Sequence, residues 1–558
     1  MDMHDQPTEA WGIEGFREAN GVPASPAFPP GEKLIPPPAT PASRQQRAGV
    51  ISRRKLFLGA AGAGVAIAAG AAAAAAVVQY AGPALLPTTA SQPSGATTGM
   101  NTTPRSTPAS IGHLLRRAGF GTNAHEMATY MSLGYAGSVD RLLNYQQVSD
   151  DAMENRLSAL KLDLNVPQKQ QQWWLLRMAW SQRPLLEKMT LFWHGVLTSS
   201  YRKVGGKQAY MRMITQNNFL RSHAFDTFDN ILLGITADPA MLVYLDLTKS
   251  TTKSPNENYA RELMELFTLG LGNYTQQDVY EGAAALTGWH VIGSTTSSHY
   301  LPQNHSDLEK VYLGQRGNFT YKDIIRILAN HPATPKFIGR RLFSFFAYEN
   351  PSDDDLKPLV DAYTQSNHNM GAVMRALLLS PQFTSAKAYR ARLKSPTEFV
   401  VGVYRALEVD GDGSLLPNQT TLIGQTLLDP PNVAGWPGDK VSSAWLNSGT
   451  WMARLNYINQ ILLGRQGRVN SYRPLDLQGI ITANHLDTPE HFVDYFVSFL
   501  LDGTLDPSRK ESLVSYFTAT ESGDSKARIT LTNGKSYALS RVRGTLYLIL
   551  SLPEYQLN

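Results

Sequence analysis

Ser254-Pro255-Asn256-Glu257-Asn258-Tyr259-Ala260-Arg261-Glu262-Leu263-Met264-Glu265-Leu266-Phe267-Thr268-Leu269-Gly270 decides the fold. Serine followed three places later by glutamate is the pattern of a capping box, and Pro255 fits the first helical position. Tyr259, Leu263, Leu266 and Phe267 recur at helical spacing and give one apolar stripe. Gly270 supplies the stop. Glu257, Arg261 and Glu265, four apart, predict an ion-pair ladder along one face.

The same period runs outward from this helix. From Ser110 onward apolar residues recur at three and four, Gly or Pro falls between the runs, and strand-like alternation is scarce. Helices are expected near 171–193, 207–222, 277–287, 320–330, 334–347, 369–379, 395–407, 445–462, 489–501 and 536–550. The fold class is therefore mainly α: a multi-helical body over 109–558 with few or no strands. Leu377-Leu378-Leu379-Ser380-Pro381-Gln382-Phe383 has an echo in Leu548-Ile549-Leu550-Ser551-Leu552-Pro553-Glu554-Tyr555. The echo marks either a duplicated helical unit or a coincidence of helix-ending chemistry.

At 558 residues, 42% hydrophobic and 17% charged, the chain has ample material for a core. Its net charge of +5 lies largely near residue 50, with no long basic face, which argues against nucleic acid as a partner. Cysteine is absent, so disulfides, thiolate catalysis and iron–sulfur clusters are excluded. A divalent metal, if one is used, would be held by His, Asp, Glu, Asn or backbone oxygens. Asp410-Gly411-Asp412-Gly413-Ser414 lacks the sixth-position glycine and twelfth-position glutamate of a calcium loop. No phosphate-cradling or dinucleotide fingerprint is present.

Residues 1–50 are rich in Pro, Ala, Gly and Gln and read as a disordered tail on the cytoplasmic side. Arg53 and Arg54 then precede an apolar Ala/Gly/Val run, 56–78, within a 51–80 segment that reads as a twin-arginine export signal or a membrane anchor. No charge follows Lys55 until Arg105, so the positive-inside rule puts the body across the membrane, in the periplasm or on the outer face of the inner membrane. Residues 81–108, rich in Pro, Ser and Thr, read as a flexible linker.

Several segments in order carry a resemblance: His113-Leu114-Leu115-Arg116-Arg117-Ala118-Gly119-Phe120-Gly121, Phe192-Trp193-His194-Gly195, Asp238-Pro239-Ala240-Met241, Pro255 through Leu266, Leu286-Thr287-Gly288-Trp289, His331-Pro332-Ala333-Thr334, Pro430 through Gly438, and Ser551 through Gln556. Together they resemble the bacterial family called domain of unknown function 1800, from about residue 110 to the end. The resemblance implies an envelope location and an exported partner of the family called domain of unknown function 1501. It implies no agreed activity and no agreed catalytic residues. This chain departs from the family pattern at Val196, Phe267 and Ser306, where the family often has histidine, histidine and aspartate. It departs again at Leu247 and Ser250, where asparagine is common.

Glu262 and Glu265, one turn apart, are candidates for a metal or for divided acid and base roles, against the ladder in which Glu265 would only pair with Arg261. His194, at the end of an apolar helix, is a candidate ligand or base, against a histidine bonded to a backbone carbonyl. His305 and Asp307, with Lys310 close by, are candidates in a polar loop, against a plain surface loop. Trp436, in the rigid Pro430–Gly438 turn, would wall a pocket or contact a glycan, against a structural corner. Two functions follow: an envelope binding or assembly factor, which the lost polar residues favour, and a metal-assisted hydrolase of a cell-wall or polysaccharide component. A pocket joining Glu262, Glu265 and His194 would point to the enzyme, and an apolar surface patch to the assembly factor.

Overall fold

A computed structural model describes residues 107–205, 209–464, 472–520 and 527–558. The tail, Arg53, Arg54 and the 56–78 run lie outside the described residues. Among the described residues no helix is long and apolar enough to cross a membrane.

The body is mainly helical, and among the described residues its strands are three two-stranded antiparallel hairpins of three residues per strand. Trp289–Val291 pairs with Ser298–Tyr300, Lys310–Tyr312 with Gln315–Gly317, and Arg528–Thr530 with Ser536–Ala538. Hairpins this short are not stable alone and hold their shape because helices pack beside them.

Two helices, Pro184–Val196 and Pro396–Ala406, are buried along their whole length. A helix enclosed on every side is normally apolar all round. These two carry Glu187, Lys188, Glu398 and Arg405, and each charge is paired, Arg405 with Glu126. Lys188 pairs with Glu398 and donates to the Gly119 carbonyl at 2.9 Å. Glu187 accepts from Arg221 at 2.6 and 3.0 Å and from the Trp174 indole at 3.1 Å. The expected 171–193 helix is two helices, Pro167–Trp180 and Pro184–Val196. They break where Pro184 lacks the amide a continuous helix requires.

The echo lies at the ends of two three-helix units. Helices Thr334–Phe346, Asp353–Gln365 and Met370–Leu378 form one three-helix group, and Pro489–Leu500, Pro507–Thr518 and Leu539–Ser551 form another in the same order. Thr334-Pro335 recurs as Thr488-Pro489, Ser344-Phe345 as Ser498-Phe499, and the caps Ser352 and Asp506 occupy matching places. The second unit carries an added hairpin before its last helix, which shifts the closing Ser–Pro–aromatic motif. Two arginine pairs bind the units to each other. Arg117 donates to the Phe346 carbonyl at 2.8 Å and Arg116 pairs with Asp502. Arg392 donates to Glu349 at 3.2 Å and Arg390 to the Leu501 carbonyl at 2.9 Å. Each pair thus gives one guanidinium to the end of the first helix in each unit: Arg117 and Arg390 meet carbonyls that lack intrahelical partners, and Arg392 and Arg116 meet carboxylates just beyond.

Candidate functional site

The Glu257–Glu262 helix starts later than the sequence suggests. Asn256 is the cap, its side chain accepting from the Asn258 amide at 3.0 Å, and Ser254 lies outside. From Leu263 to Thr268 the helix is a π-helix. The Leu269 amide reaches back five residues to the Met264 carbonyl at 2.8 Å, and the Thr268 hydroxyl donates to the Leu263 carbonyl at 2.6 Å. The wider turn changes which side chains share a face. Arg261 accordingly pairs with Glu257 at 3.0 Å and Gln276 at 2.9 Å, not with Glu265. Glu265 is turned to Tyr274, whose hydroxyl donates to it at 2.5 Å.

Glu262 lies at the boundary, half-buried and without a hydrogen bond among the described residues. Burial, reinforced by the Glu265 charge, raises its pKa to about 7, and Arg261 opposes this only in part. Tyr244 stands nearby. Burial and then the charges of Glu262 and Asp429 push its pKa up to about 12, and its hydroxyl is bonded to Thr198. The Thr198 hydroxyl in turn donates to the Val433 carbonyl at 2.6 Å. Asp429, on the same loop, accepts from Ser200 and Arg202 at 2.5 Å each. Glu262, at the end of the α-helical segment, and Glu265, on the π-helical one, thus form a carboxyl pair with Tyr244 and Tyr274 beside it. From Tyr244 the hydrogen bonds run through Thr198 into the 428–434 loop.

That loop belongs to the Pro430–Gly438 turn, and it interlocks with Phe192–Gly195. Gly435 has φ +82°, and a Cβ there would stand 2.4 Å from the Gly195 carbonyl oxygen. A Cβ on Gly195 would stand 2.8 Å from the Asp439 carboxylate. Burial raises the Asp439 pKa to about 7 against Arg392 and Arg341. Arg341, whose own pKa burial lowers to about 10, donates to the π-helical Leu266 carbonyl at 3.0 Å.

The other sequence candidates share no hydrogen bond or ion pair with these two carboxyls among the described residues. His194 is sealed in the core, edge-on to Trp174 at 5.4 Å and Trp436 at 5.5 Å. Burial lowers its pKa to about 3 and its Nε2 has no hydrogen-bond partner, so it is a neutral core ring. Trp436 is buried as the other side of that contact. His305 is buried with Nδ1 against the Thr287 carbonyl at 3.2 Å, while Asp307 is exposed. Their loop is organised by Lys310, only 1% exposed, whose ammonium donates to the carbonyls of Ser306 (2.6 Å) and Leu308 (2.8 Å). Asp238 caps the Pro239–Tyr244 helix, accepting from the Met241 amide at 2.9 Å and from Gln216 at 2.8 Å. Tyr244, Tyr274 and Asp439 were not among the sequence candidates. Only Asp439, next to the Pro430–Gly438 run, carried a local signal.

Among the described residues no three His, Asp or Glu side chains come together to hold a metal.

A raised carboxyl pKa has a defined sign in stability. A Glu262 proton held more tightly in the folded state stabilises below the ordinary value of 4.5, and that contribution is lost as pH rises through about 7. Glu262→Gln removes the charge. Its urea midpoint is expected to exceed that of the parent above pH 7 and to match it below 4.5. A difference that is constant with pH would contradict the assignment.

The family model described as "Protein of unknown function (DUF1800)" matches residues 113–557, nearly the whole described body. No curated protein and no solved structure matches the chain.

Proposed function

We propose, from the premise that the chain belongs to the DUF1800 family of proteins of unknown function, that it is an exported envelope protein acting as a binding or assembly factor. It captures a cationic group, an amine or guanidinium of a ligand or of an exported partner of the domain of unknown function 1501 family, at the Glu262–Glu265 pair. The observation that carries this is the half-buried Glu262 carboxyl, which has a second carboxylate beside it and no hydrogen bond among the described residues. An arriving cation relieves that desolvated charge. Two further features favour binding over catalysis: His194 and His305 are walled off from the pair, and Val441, Leu446 and Met452 are 52%, 39% and 50% exposed on the segment following the Pro430–Gly438 turn. Export rests on the Arg53-Arg54 segment.

The test is photo-crosslinking from a benzoylphenylalanine placed at Asn258, exposed one turn before Glu262. In intact envelopes one discrete crosslinked species is expected, and Glu262→Gln/Glu265→Gln is expected to remove it at equal protein level. An unchanged crosslink in the double variant, or retention of the chain in the cytoplasm, would sink the proposal.

A metal-assisted hydrolase draws on the same carboxylates, and a carboxyl near pKa 7 is what acid–base catalysis uses. The pair offers a divalent ion two protein ligands, suited to a hydrated Mg²⁺-like ion. A near-stoichiometric metal that disappears in the same double variant would favour this reading.

A further inference from the structure

Among the described residues a cavity of about 350 Å³ opens between the Leu416–Leu422 and Ser448–Leu463 helices. Backbone contacts fix its walls. Gly464 ends the second helix at φ +68°, and a Cβ there would stand 2.4 Å from the Pro474 nitrogen, so the chain returns tightly against the helix end. On the other side Tyr472 forms a β-bridge with Gly411, and the Arg473 amide donates to the Asp410 carbonyl at 2.9 Å. The cavity's lining carries no charged side chain among the described residues. Leu415 and Tyr472 are buried at its floor, and Leu463, 44% exposed, stands at its rim.

The polar part of the lining is made of amides. Gln419 is only 6% exposed. Its Nε2 donates to the Gln460 Oε1 at 3.1 Å, while its own Oε1 accepts no hydrogen bond among the described residues. Whichever way round the two amides are turned, the pair leaves one carbonyl and one NH2 open side by side. A buried acceptor left without a donor costs free energy, so the site is built for a partner. One bridging water takes up only about 30 Å³ and would leave most of the cavity empty. A ligand hydroxyl meets both open groups at once, donating to the carbonyl and accepting from the NH2. Asn418, exposed at the rim, adds a third amide.

We infer that this cavity binds one ring of a neutral sugar, with its hydroxyls on the Gln419–Gln460 pair and its C–H face against Leu415, Leu463 and Tyr472. An uncharged lining offers nothing to balance a phosphate, a carboxylate or an ammonium group. The apolar wall and the open amide pair together select a ligand that is hydroxylated at its edge and apolar on its face. The site shares no residue with the Glu262–Glu265 pair, and the inference does not rest on the cation reading.

The test is saturation-transfer NMR of the full chain with methyl glycosides of glucose, galactose, mannose and N-acetylglucosamine. The control ligand is 2-methoxytetrahydropyran, which keeps the ring and lacks the hydroxyls. At least one glycoside is expected to receive saturation at its ring protons and to bind roughly tenfold more tightly than the control. Gln460→Met, at an exposed position, is expected to weaken that binding roughly tenfold with unchanged circular dichroism, and Gln419→Met to weaken it at least as much. Saturation of none of the four glycosides would overturn the inference. Equal binding of the control would reduce the cavity to an apolar recess. Glycoside binding that is unchanged in a folded Gln460→Met variant would equally overturn the assignment to the amide pair.

Discussion

Gly435→Ala is expected to cost about 4 kcal/mol or more, enough to deplete the folded chain in most expression hosts. Two terms add. The residue sits at φ +82°, and its new Cβ would meet the Gly195 carbonyl oxygen at 2.4 Å, a backbone atom that cannot swing aside. Gly272 separates the terms: its φ is +85° but nothing lies within 4 Å of the added Cβ. Gly272→Ala should therefore cost only the left-handed strain, about 1–2 kcal/mol. Urea midpoints of the two variants check this. Equal losses would mean that the interlock of Phe192–Gly195 with the Pro430–Gly438 turn contributes little.

Lys188→Met is expected to cost about 3–5 kcal/mol, because it strands Glu398 inside the protein. Burial alone would push the Glu398 carboxyl up. The Lys188 and Arg117 charges overcome this and hold it at about 2. The sign with pH follows. A carboxyl depressed from 4.5 to about 2 stabilises above 4.5, and its contribution fades as pH falls towards 2. The penalty of Lys188→Met should shrink over that window. Adding Glu398→Gln should recover part of the loss at neutral pH, a coupling read by the double-mutant cycle. A penalty that is independent of pH and additive with Glu398→Gln would contradict this account of the pair.

Helix positions were largely legible because periodicity and punctuation are local. Gly270 stops its helix as expected, and Tyr259, Leu263, Leu266 and Phe267 are buried as the stripe requires. The π-helical turn was not legible. Leu263–Thr268 is an ordinary helical sequence, and its widening shows only in bonds such as that of Thr268 to the Leu263 carbonyl. The error over Glu265 and Arg261 follows from that one turn. Glu262 and Glu265 could be nominated by spacing, but their inequality depends on Tyr274, nine residues further on and brought alongside by the fold. His194 looked like chemistry because its type allows it, and the two tryptophans that enclose it come from distant segments. The likeness of the two three-helix units was visible at their closing motif alone, since the hairpin before Leu539–Ser551 breaks the register and the shared Thr–Pro starts are short.

The central claim is that the Glu262–Glu265 pair takes up a cation at the expense of a proton. Calorimetric titration of the full chain with butylammonium chloride, in two neutral buffers of different ionisation enthalpy, tests it directly. The account predicts saturable binding whose heat differs between the buffers because a proton is released, and no such binding to Glu262→Gln/Glu265→Gln. Absence of saturable heat with the parent, or the same buffer-dependent heat with the double variant, would contradict it.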